Sequence, residues 1–207
     1  MRDRTKYKNK YRIKSNRLQG WDYSNSGYYF ITIVTANRRY VFGEIIDNEM
    51  RLSDFGKIAQ NELLKSFAIR NELALDNFII MPNHLHAIVV LEKTKNTNNS
   101  ALTVETHGRA SLQYASKPDF IRKPKSISSF IAGYKSATLN KIDDFIDENN
   151  LKINKYNRPN PLWQSNYYDH IIRNEKSYNN IFNYIKTNPN EWGKDSLNPE
   201  NQINGKP

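Results

Sequence analysis

Apolar and polar residues follow two periods along this chain, one typical of strands and one of helices. Apolar runs rich in β-branched and aromatic residues predict four strands, over residues 28–35, 75–80, 84–91 and 162–173. Apolar residues at helical spacing predict three helices, over residues 53–69, 126–147 and 175–187. Ser53 or Asp54 and Asn174 are the expected N-caps of the first and third helices, and residues 43–52 predict a small hairpin around Asp47-Asn48.

The order of these elements indicates an α+β fold, a ferredoxin-like antiparallel sheet with packed helices. The strand at 84–91 is expected in the interior of that sheet. We predict a basic arm over residues 1–20, one catalytic domain over residues 21–192 and a loose polar tail over residues 193–207. A long polar loop over residues 93–125 interrupts the domain, whose catalytic character is implied by the resemblance described below, and His107 within the loop is expected to be exposed.

Composition narrows the class of partner. The chain has 207 residues and a net charge of +10, so a polyanion is the expected partner. It contains no cysteine, which excludes disulfides, thiolate metal sites and cysteine nucleophiles. No apolar run approaches the roughly 20 residues that span a bilayer, and no signal sequence follows the first charges. We therefore expect a cytoplasmic, nucleoid-associated protein without a membrane partner.

The basic arm concentrates positive charge before the first strand. Its first seventeen residues carry eight basic side chains against the single acid Asp3. Such a segment is either a solvating tail or a mobile arm that follows a phosphate backbone. On the second interpretation, the expected contacts to nucleic acid include Arg12, Lys14 and Arg17.

A His-x-His pair opens the predicted strand at 84–91. Residues two apart in a strand point to the same face, so His84 and His86 present their imidazoles side by side. Two neutral imidazoles on one rigid face form half of a metal site. The alternative is a pair of hydrogen-bonded core histidines, and a third ligand elsewhere in the chain is needed to decide between them.

The last predicted helix separates one tyrosine from its packing face. Tyr178, Ile181, Phe182 and Ile185 form an apolar stripe at helical spacing. Tyr184 projects about 110° from the centre of that stripe. Asn188, four residues later, lies on nearly the same face as Tyr184. The pair is either a nucleophile beside a metal ligand or an ordinary boundary tyrosine with an amide neighbour.

A family resemblance favours the functional interpretation. The strand motif PNHLHAIVVL, followed far downstream by LWQSNYYDHIIRNEKSYNNIFNYIKTNP, resembles the single-tyrosine HUH transposases, and most of all the REP-associated tyrosine transposases. The early segment GYYFITIVT resembles the same branch. The resemblance covers roughly residues 20–192 without the long loop.

The resemblance implies a site and a reaction. His84 and His86 match the paired ligands of a divalent ion, Mg²⁺ or Mn²⁺, and Asn188 matches the third ligand. Tyr184 matches the nucleophile, which would cleave single-stranded or hairpin DNA and form a 5′-phosphotyrosine link. His170 is a candidate base or a strand residue bonded to backbone. Bases could stack on Trp163, Tyr167 and Tyr168, although core packing explains these rings equally well. Relatives include dimers, so the expected state is a monomer or a homodimer.

Two other functions compete with strand transfer. A domesticated, non-catalytic binder of palindromic DNA or RNA would keep the fold, but it has no need of His84, His86 and Tyr184 together. A metal hydrolase would use water as its nucleophile, but too few carboxylates or further histidines lie at ligand spacing to complete its site. The sequence favours the transposase over both.

Overall fold

The computed structural model describes residues 6–7, 10–11, 17–18, 20–92 and 125–203. Near the N-terminus, β1 (Lys6–Tyr7) pairs antiparallel with β2 (Lys10–Tyr11). Most of the predicted arm, including Arg12 and Lys14, lies outside the described residues. Residues 93–124 of the predicted loop, and His107 with them, lie outside as well.

Six further strands and four α-helices make up the rest of the described fold. The strands are β3 (Gly27–Val34), β4 (Gly43–Ile46), β5 (Glu49–Leu52), β6 (Leu73–Met81), β7 (His84–Leu91) and β8 (Tyr168–Ile172). The helices are α1 (Asp54–Ala68), α2 (Ile127–Glu148), α3 (Glu175–Thr187) and α4 (Glu200–Ile203). Short 3₁₀ helices cover Ala36–Arg38 and Trp192–Lys194.

The main sheet has four antiparallel strands in the order β6-β7-β3-β8. Along the chain its elements run β3-α1-β6-β7-α2-β8, the βαββαβ pattern of ferredoxin-like folds. This confirms the predicted fold class and places β7 in the sheet interior. A two-residue turn at Pro82-Asn83 joins β6 to β7, with Met81 paired to His84.

The main core lies between one face of the sheet and the helices α1 and α2. Alternate residues of β3 and β7, among them Tyr29, Ile31, Leu85 and Val89, are fully buried there. Ser53 begins α1 as predicted, and its side chain accepts a hydrogen bond from the Gly56 amide. Packing of α1 and α2 against this face closes one side of the sheet and leaves the other for the site.

Helix α3 lies on the opposite face and packs against β6 and β7. Its buried Ile185 joins Ile88 and Ile172 in a second, smaller apolar cluster. Asn174 begins this helix as predicted, because its side chain accepts from the Ser177 amide. Helix α3 thus covers the β6–β7 half of the face and the end of β8 at Ile172, and it leaves Tyr168 and His170 of β8 exposed.

The fourth predicted strand is shorter than the sequence indicates. We expect strand over residues 162–173, but β8 begins only at Tyr168, and Trp163 makes an isolated bridge to Thr35. Residues 162–167 instead run as an irregular segment that buries Leu162, Trp163 and Tyr167 in the main core. Their aromatic pattern therefore reflects burial without strand pairing.

The predicted loose tail is partly folded. Residues 193–203 return to the sheet, where Asp195 and Asn198 are buried. Arg38 donates to the Ser196 carbonyl at 2.8 Å, and the Tyr40 hydroxyl donates to Asn198 Oδ1 at 2.6 Å. Hydrogen bonds of polar side chains hold this segment in place. The sequence therefore has no hydrophobic period here that would predict an ordered segment.

Crossing a bilayer requires a helix that is both long and apolar. None of the helices within residues 20–92 and 125–203 meets both conditions.

Candidate active site

His84 and His86 point from β7 toward the face that carries α3. Both side chains are buried, and their Nε2 atoms lie 3.0 Å apart. Ligands at right angles around an ion with bonds of about 2.1 Å are separated by about 3.0 Å. The spacing of the two nitrogens therefore fits adjacent positions on one divalent ion.

Asn83 sets the tautomer of His84. Its Nδ2 donates to the carbonyls of Arg38 and Leu197, at 3.1 and 2.8 Å, which assigns its Oδ1 to the side facing His84. His84 Nδ1 lies 2.8 Å from that oxygen and must donate to it. The Nε2 lone pair of His84 is consequently free to bind a metal.

Thr32 on β3 supports the second imidazole. Its Oγ1 lies 2.8 Å from His86 Nδ1, and Thr32 is paired with His86 across the two strands. Threonine hydroxyls can accept a hydrogen bond, so Nδ1 can carry the proton while Nε2 faces the site. Each histidine thus has a polar partner at Nδ1, and its Nε2 faces the site.

Burial keeps the two imidazoles uncharged. It lowers the pKa of His84 to about 3, assisted by the positive charge of Arg38. It also lowers the pKa of His86 well below the ordinary value, and His84 adds to this effect. Neutral imidazole is the form that binds metal ions, so no proton has to leave before binding at neutral pH.

Asp195 is the functional residue that the sequence pattern misses. One nitrogen of each histidine and one carboxylate oxygen of Asp195 lie within 4.8 Å of one another, so this buried cluster could hold a metal ion. Asp195 Oδ2 is 4.0 Å from His84 Nε2, too far for a hydrogen bond. The Leu197 amide donates to Oδ1 at 2.6 Å and fixes the carboxylate.

Asn188 lies beside Asp195 at the C-cap of α3. Its Nδ2 donates to Asp195 Oδ2 at 3.2 Å, and the residue is buried. Its Oδ1 is also buried and has no hydrogen-bond partner among the described residues. A buried amide oxygen without a partner is costly, and a cation would satisfy it. The donor set therefore fits a divalent ion with Asp195, Asn188 or both beside the histidines.

Tyr184 reaches the same point from α3. Its hydroxyl lies 3.3 Å from His86 Nε2, and its ring contacts the rings of His86 and Phe30. The side chain is 42% exposed, so a substrate can approach it. Burial of the hydroxyl and the negative charge of Asp195 raise its pKa to about 12. The free protein therefore keeps this phenol protonated.

The predicted nucleic-acid contacts separate into core and surface. Trp163 and Tyr167 are buried, and the Tyr167 hydroxyl hydrogen-bonds Ser128, so the core alternative holds for both. Tyr168 is 47% exposed on β8. Arg17 stacks its guanidinium over the Tyr167 ring at 4.9 Å and thereby anchors the end of the arm.

His170 is exposed on β8, and its Nε2 lies 3.5 Å from Ser177 Oγ. It is therefore bonded to a side chain of α3 rather than to backbone. This contact directs the ring along α3 toward the N-terminal end of that helix. The arrangement gives no support to His170 as the base for Tyr184.

Two proteins of Haemophilus influenzae resemble this chain over most of its length, although no family model matches it. One, of unassigned function, is 32% identical over 188 residues, which are 89% of this chain and 92% of that protein. The other, whose name assigns it to the REP-associated tyrosine transposases, is 27% identical over 83% of this chain and 75% of its own length.

Among solved structures, one of a REP-associated tyrosine transposase bound to a REP hairpin aligns with a TM-score of 0.48 and 19% identity, over 86% of this chain and 74% of that chain. The likeness to this family is carried by the sequence instead. The Haemophilus influenzae transposase relative matches most of the chain, and the His-x-His strand and the tyrosine helix occur in the expected order. The chain is therefore similar in sequence to the REP-associated tyrosine transposases over most of its length.

Proposed function

We propose that this protein cleaves single-stranded DNA and transfers the strand through a 5′-phosphotyrosine intermediate on Tyr184. One observation carries the proposal: the Tyr184 hydroxyl lies 3.3 Å from Nε2 of His86, within a buried His-His-Asp cluster. A nucleophile and a set of metal ligands thus converge on one accessible point. A protein that only binds DNA has no need of this convergence.

The residues that would hold the ion are His84, His86 and Asp195, with the Asn188 amide oxygen beside them. Imidazole nitrogens favour Mn²⁺ over Mg²⁺ by their softness, while oxygen ligands suit both ions. When bound, the ion would withdraw charge from a DNA phosphate and align it for in-line attack. Asn188 caps the end of α3 and Asp195 lies in the chain after it. A complete site therefore requires this segment to be folded against the sheet.

The chemistry of the protein itself begins at Tyr184. Its oxygen forms a bond to phosphorus, the bond to the 3′ oxygen breaks, and that oxygen leaves as a 3′-hydroxyl after taking a proton. Because the ester is retained on tyrosine, a later 3′-hydroxyl can displace the phenol without ATP. The raised pKa of Tyr184 in the free protein means that the phenol must lose its proton during the attack.

The substrate we propose is single-stranded DNA, flexible beside a hairpin. His84 and His86 lie on an interior strand and Tyr184 on a packed helix, so a scissile phosphate must enter between two rigid elements. A paired duplex would have to open, which costs about 1.4 kcal/mol per base-pair step. A hairpin offers a recognisable shape together with an unpaired flank. Equal cleavage of hairpin and linear duplex would contradict this choice.

A denaturing gel with end-labelled oligonucleotide tests the reaction. Wild-type protein with Mn²⁺ or Mg²⁺ should form a labelled covalent adduct, and Tyr184→Phe should abolish it while binding stays nearly unchanged. Tyr178→Phe is the matched control, because the Tyr178 hydroxyl donates to Asp76 and points away from the histidines. Loss of the adduct in Tyr178→Phe but not in Tyr184→Phe would overturn the assignment.

The same gel tests the metal role. Chelator, His84→Ala or His86→Ala should each remove the adduct, because the two nitrogens are needed together. Full activity in excess chelator would contradict a metal-dependent reaction. Because Tyr184 lies beside His86 of its own polypeptide, we propose that each protomer uses its own tyrosine.

A further inference from the structure

An exposed part of the sheet face lies directly beside the candidate site. Strand pairing places Tyr168 opposite Thr32, whose hydroxyl contacts His86. Two residues along, His170 lies opposite Phe30, whose ring stacks on His86 at 5.2 Å. Paired residues of an antiparallel sheet point to the same face. Phe30, Tyr168 and His170 therefore form one aromatic surface, here called the aromatic platform, that begins at the site.

The aromatic platform is accessible. Tyr168 is 47% exposed and His170 is exposed as well, because α3 buries Ile172 at the end of β8 but does not cover these two residues. Large exposed aromatic side chains on a sheet surface point to a binding role when they cluster. Along β8, Tyr168 and His170 are about 6.6 Å apart, close to the rise of two stacked nucleotides.

A groove continues from the platform along the N-terminal half of α3. It has a volume of about 460 Å³ between Phe30, His170, Lys176 and Asn180. His170 also lines a second groove of about 470 Å³, which reaches Arg173 and Leu18. Leu18 lies near the end of the basic arm and directly follows Arg17, so the path joins the candidate site to the most positive segment of the chain.

Charge and polarity select the occupant of this path. Lys176 and Arg173 supply positive charge, and Asn174 and Ser177 supply hydrogen-bonding groups between them. Among the described residues that line the two grooves, the one carboxylate, Asp169, accepts a hydrogen bond from Tyr23. Aromatic faces alternating with cations fit a single nucleic-acid strand, whose bases stack while its phosphates pair. A protein segment has no regular alternation of aromatic bases and phosphates that would match both the rings and the cations.

We propose that the aromatic platform binds the unpaired strand next to the scissile phosphate, with bases stacked on Tyr168 and His170 and the backbone following Lys176 and Arg173. The inference rests on the proposed function, since it assigns the substrate of that site. Phe30 belongs to the wall of the catalytic centre, whereas Tyr168 and His170 act only in binding. Bases on this platform would be held in register with Tyr184.

Fluorescence anisotropy with a labelled mixed-sequence single strand, in chelator to prevent cleavage, measures this binding. Tyr168→Ala and His170→Ala should each weaken it about 5-fold to 150-fold, the range for removal of one base–aromatic stack. Tyr168→Phe keeps the ring and should bind like wild type, while Tyr168→Leu keeps only apolar bulk and should not. Leu64→Ala, on α1 and similarly exposed at 46%, is the control on the other face of the sheet.

A strand with a single abasic site, moved along the sequence, locates the stacked bases. At the position over Tyr168 the abasic site should weaken binding to wild type but not weaken binding to Tyr168→Ala any further, because both remove the same stack. Unchanged binding by Tyr168→Ala and His170→Ala, with a normal Tyr184 adduct in wild type, would overturn the platform alone. Absence of the wild-type adduct would instead overturn the proposed reaction, whatever the anisotropy shows.

Discussion

Each imidazole of the candidate site has one polar partner behind its ring. His84 depends on Asn83, which also ties the segment after α3 to the loop at Arg38. The Nδ1 atom of His86 contacts Thr32, while its Nε2 faces His84 and Tyr184. Partners of this kind orient metal ligands, and their removal commonly lowers metal affinity 10-fold to 100-fold. Thr32 is the cleaner position to test, because Asn83 has structural contacts that a substitution would also break.

Replacing Thr32 by valine should lower the affinity for Mn²⁺ by about 10-fold to 100-fold. Valine keeps the shape of the buried side chain but removes the oxygen 2.8 Å from His86 Nδ1. Thr32→Ser retains the hydroxyl and should bind Mn²⁺ nearly as wild type does. Isothermal titration calorimetry distinguishes the two, and equal affinities for the valine and serine variants would show that the contact does not support the metal.

The depressed pKa values of the histidines make stability depend on pH in metal-free protein. The pKa of His84 is about 3 in the folded state and about 6.5 when unfolded, and the pKa of His86 is lowered in the same direction. Between these values the unfolded chain binds protons that the native state does not. The free energy of unfolding should therefore be highest above about pH 6.5. It should decline as the pH falls toward 3, by at most about 1.4 kcal/mol per pH unit for each histidine.

Urea titrations in chelator across this pH range check the slope. The variant His86→Gln should show a shallower dependence than wild type, since one of the two buried groups can no longer take up a proton on unfolding. A wild-type midpoint that stays constant through this range would mean that both imidazoles titrate alike in the folded and unfolded chains.

Residue-scale prediction succeeded where a local rule applied. Strand parity predicted His84 and His86 on one face, and helical spacing predicted Tyr184 and Asn188 on one face of α3. That α3 brings these two residues to the histidines was implied only by the family resemblance. Asp195 follows no such rule, because it is one acid in a polar segment held by hydrogen bonds rather than by an apolar period. Only the return of the chain to the sheet brings it to the histidines, and that return is a tertiary event.

At the scale of elements, bounds follow the sequence where hydrophobic period and pairing agree. The helices α1 and α3 begin at the predicted caps, and the turn at Asp47-Asn48 adopts the positive φ angles typical of a two-residue hairpin. For residues 162–167, period and pairing disagree: the aromatic pattern is that of a strand, but the side chains fill the core. Whether such a segment pairs as a strand or packs into the core depends on neighbours that are distant in sequence.

Helix α1 contains Gly56, where substitution by alanine should destabilise the protein although alanine has the higher helix propensity. Alanine is more favourable than glycine in a helix by about 1 kcal/mol. At Gly56, however, a Cβ would lie 2.1 Å from the backbone oxygen of Phe42, which cannot move without shifting the loop before the helix. We expect Gly56→Ala to destabilise the fold by about 1–3 kcal/mol, the usual range for overpacking.

Gly133→Ala in α2 is the matched control, measured by the same urea titration. Its Cβ would meet only the end of the flexible Arg70 side chain, at 2.8 Å, which can shift at the cost of its hydrogen bond to the Ser66 carbonyl. This variant should lose less stability than Gly56→Ala, since no backbone atom has to move and the gain in propensity remains. Similar stabilities for the two alanine variants would show that α1 can move away from Phe42.

At the scale of the whole molecule, charge and aromatic surface make different contributions to the binding of nucleic acid. The net charge of +10 attracts any polyanion, but it cannot tell a single strand from a duplex. Discrimination has to come from the narrow approach to Tyr184 and from bases that an unpaired strand can expose to the platform. Salt should therefore weaken binding to every nucleic acid, whereas aromatic substitutions should act on single strands alone.

The basic arm gives the sharpest test of the charge contribution. Deletion of residues 1–16 removes seven basic side chains, Arg2, Arg4, Lys6, Lys8, Lys10, Arg12 and Lys14, and leaves Arg17 stacked on Tyr167. Each phosphate of a single strand that a basic residue neutralises adds about 0.7 to the slope of log affinity against log salt. The slope should become shallower by about 0.7 for every phosphate that the shortened protein no longer neutralises, and by at most about 5 if all seven basic residues bind phosphates.

Anisotropy titrations over a series of salt concentrations measure this slope. A full-length variant with the same seven residues changed to glutamine separates charge from length: it should match the deletion if phosphates are what the arm binds. The Tyr168→Ala variant should weaken binding at every salt concentration without changing the slope, because stacking releases no counterions. An unchanged slope after deletion would mean that the arm only solvates the protein, and the positive charge that steers DNA would then have to lie on the folded domain, with Lys176 and Arg173 as the first residues to test.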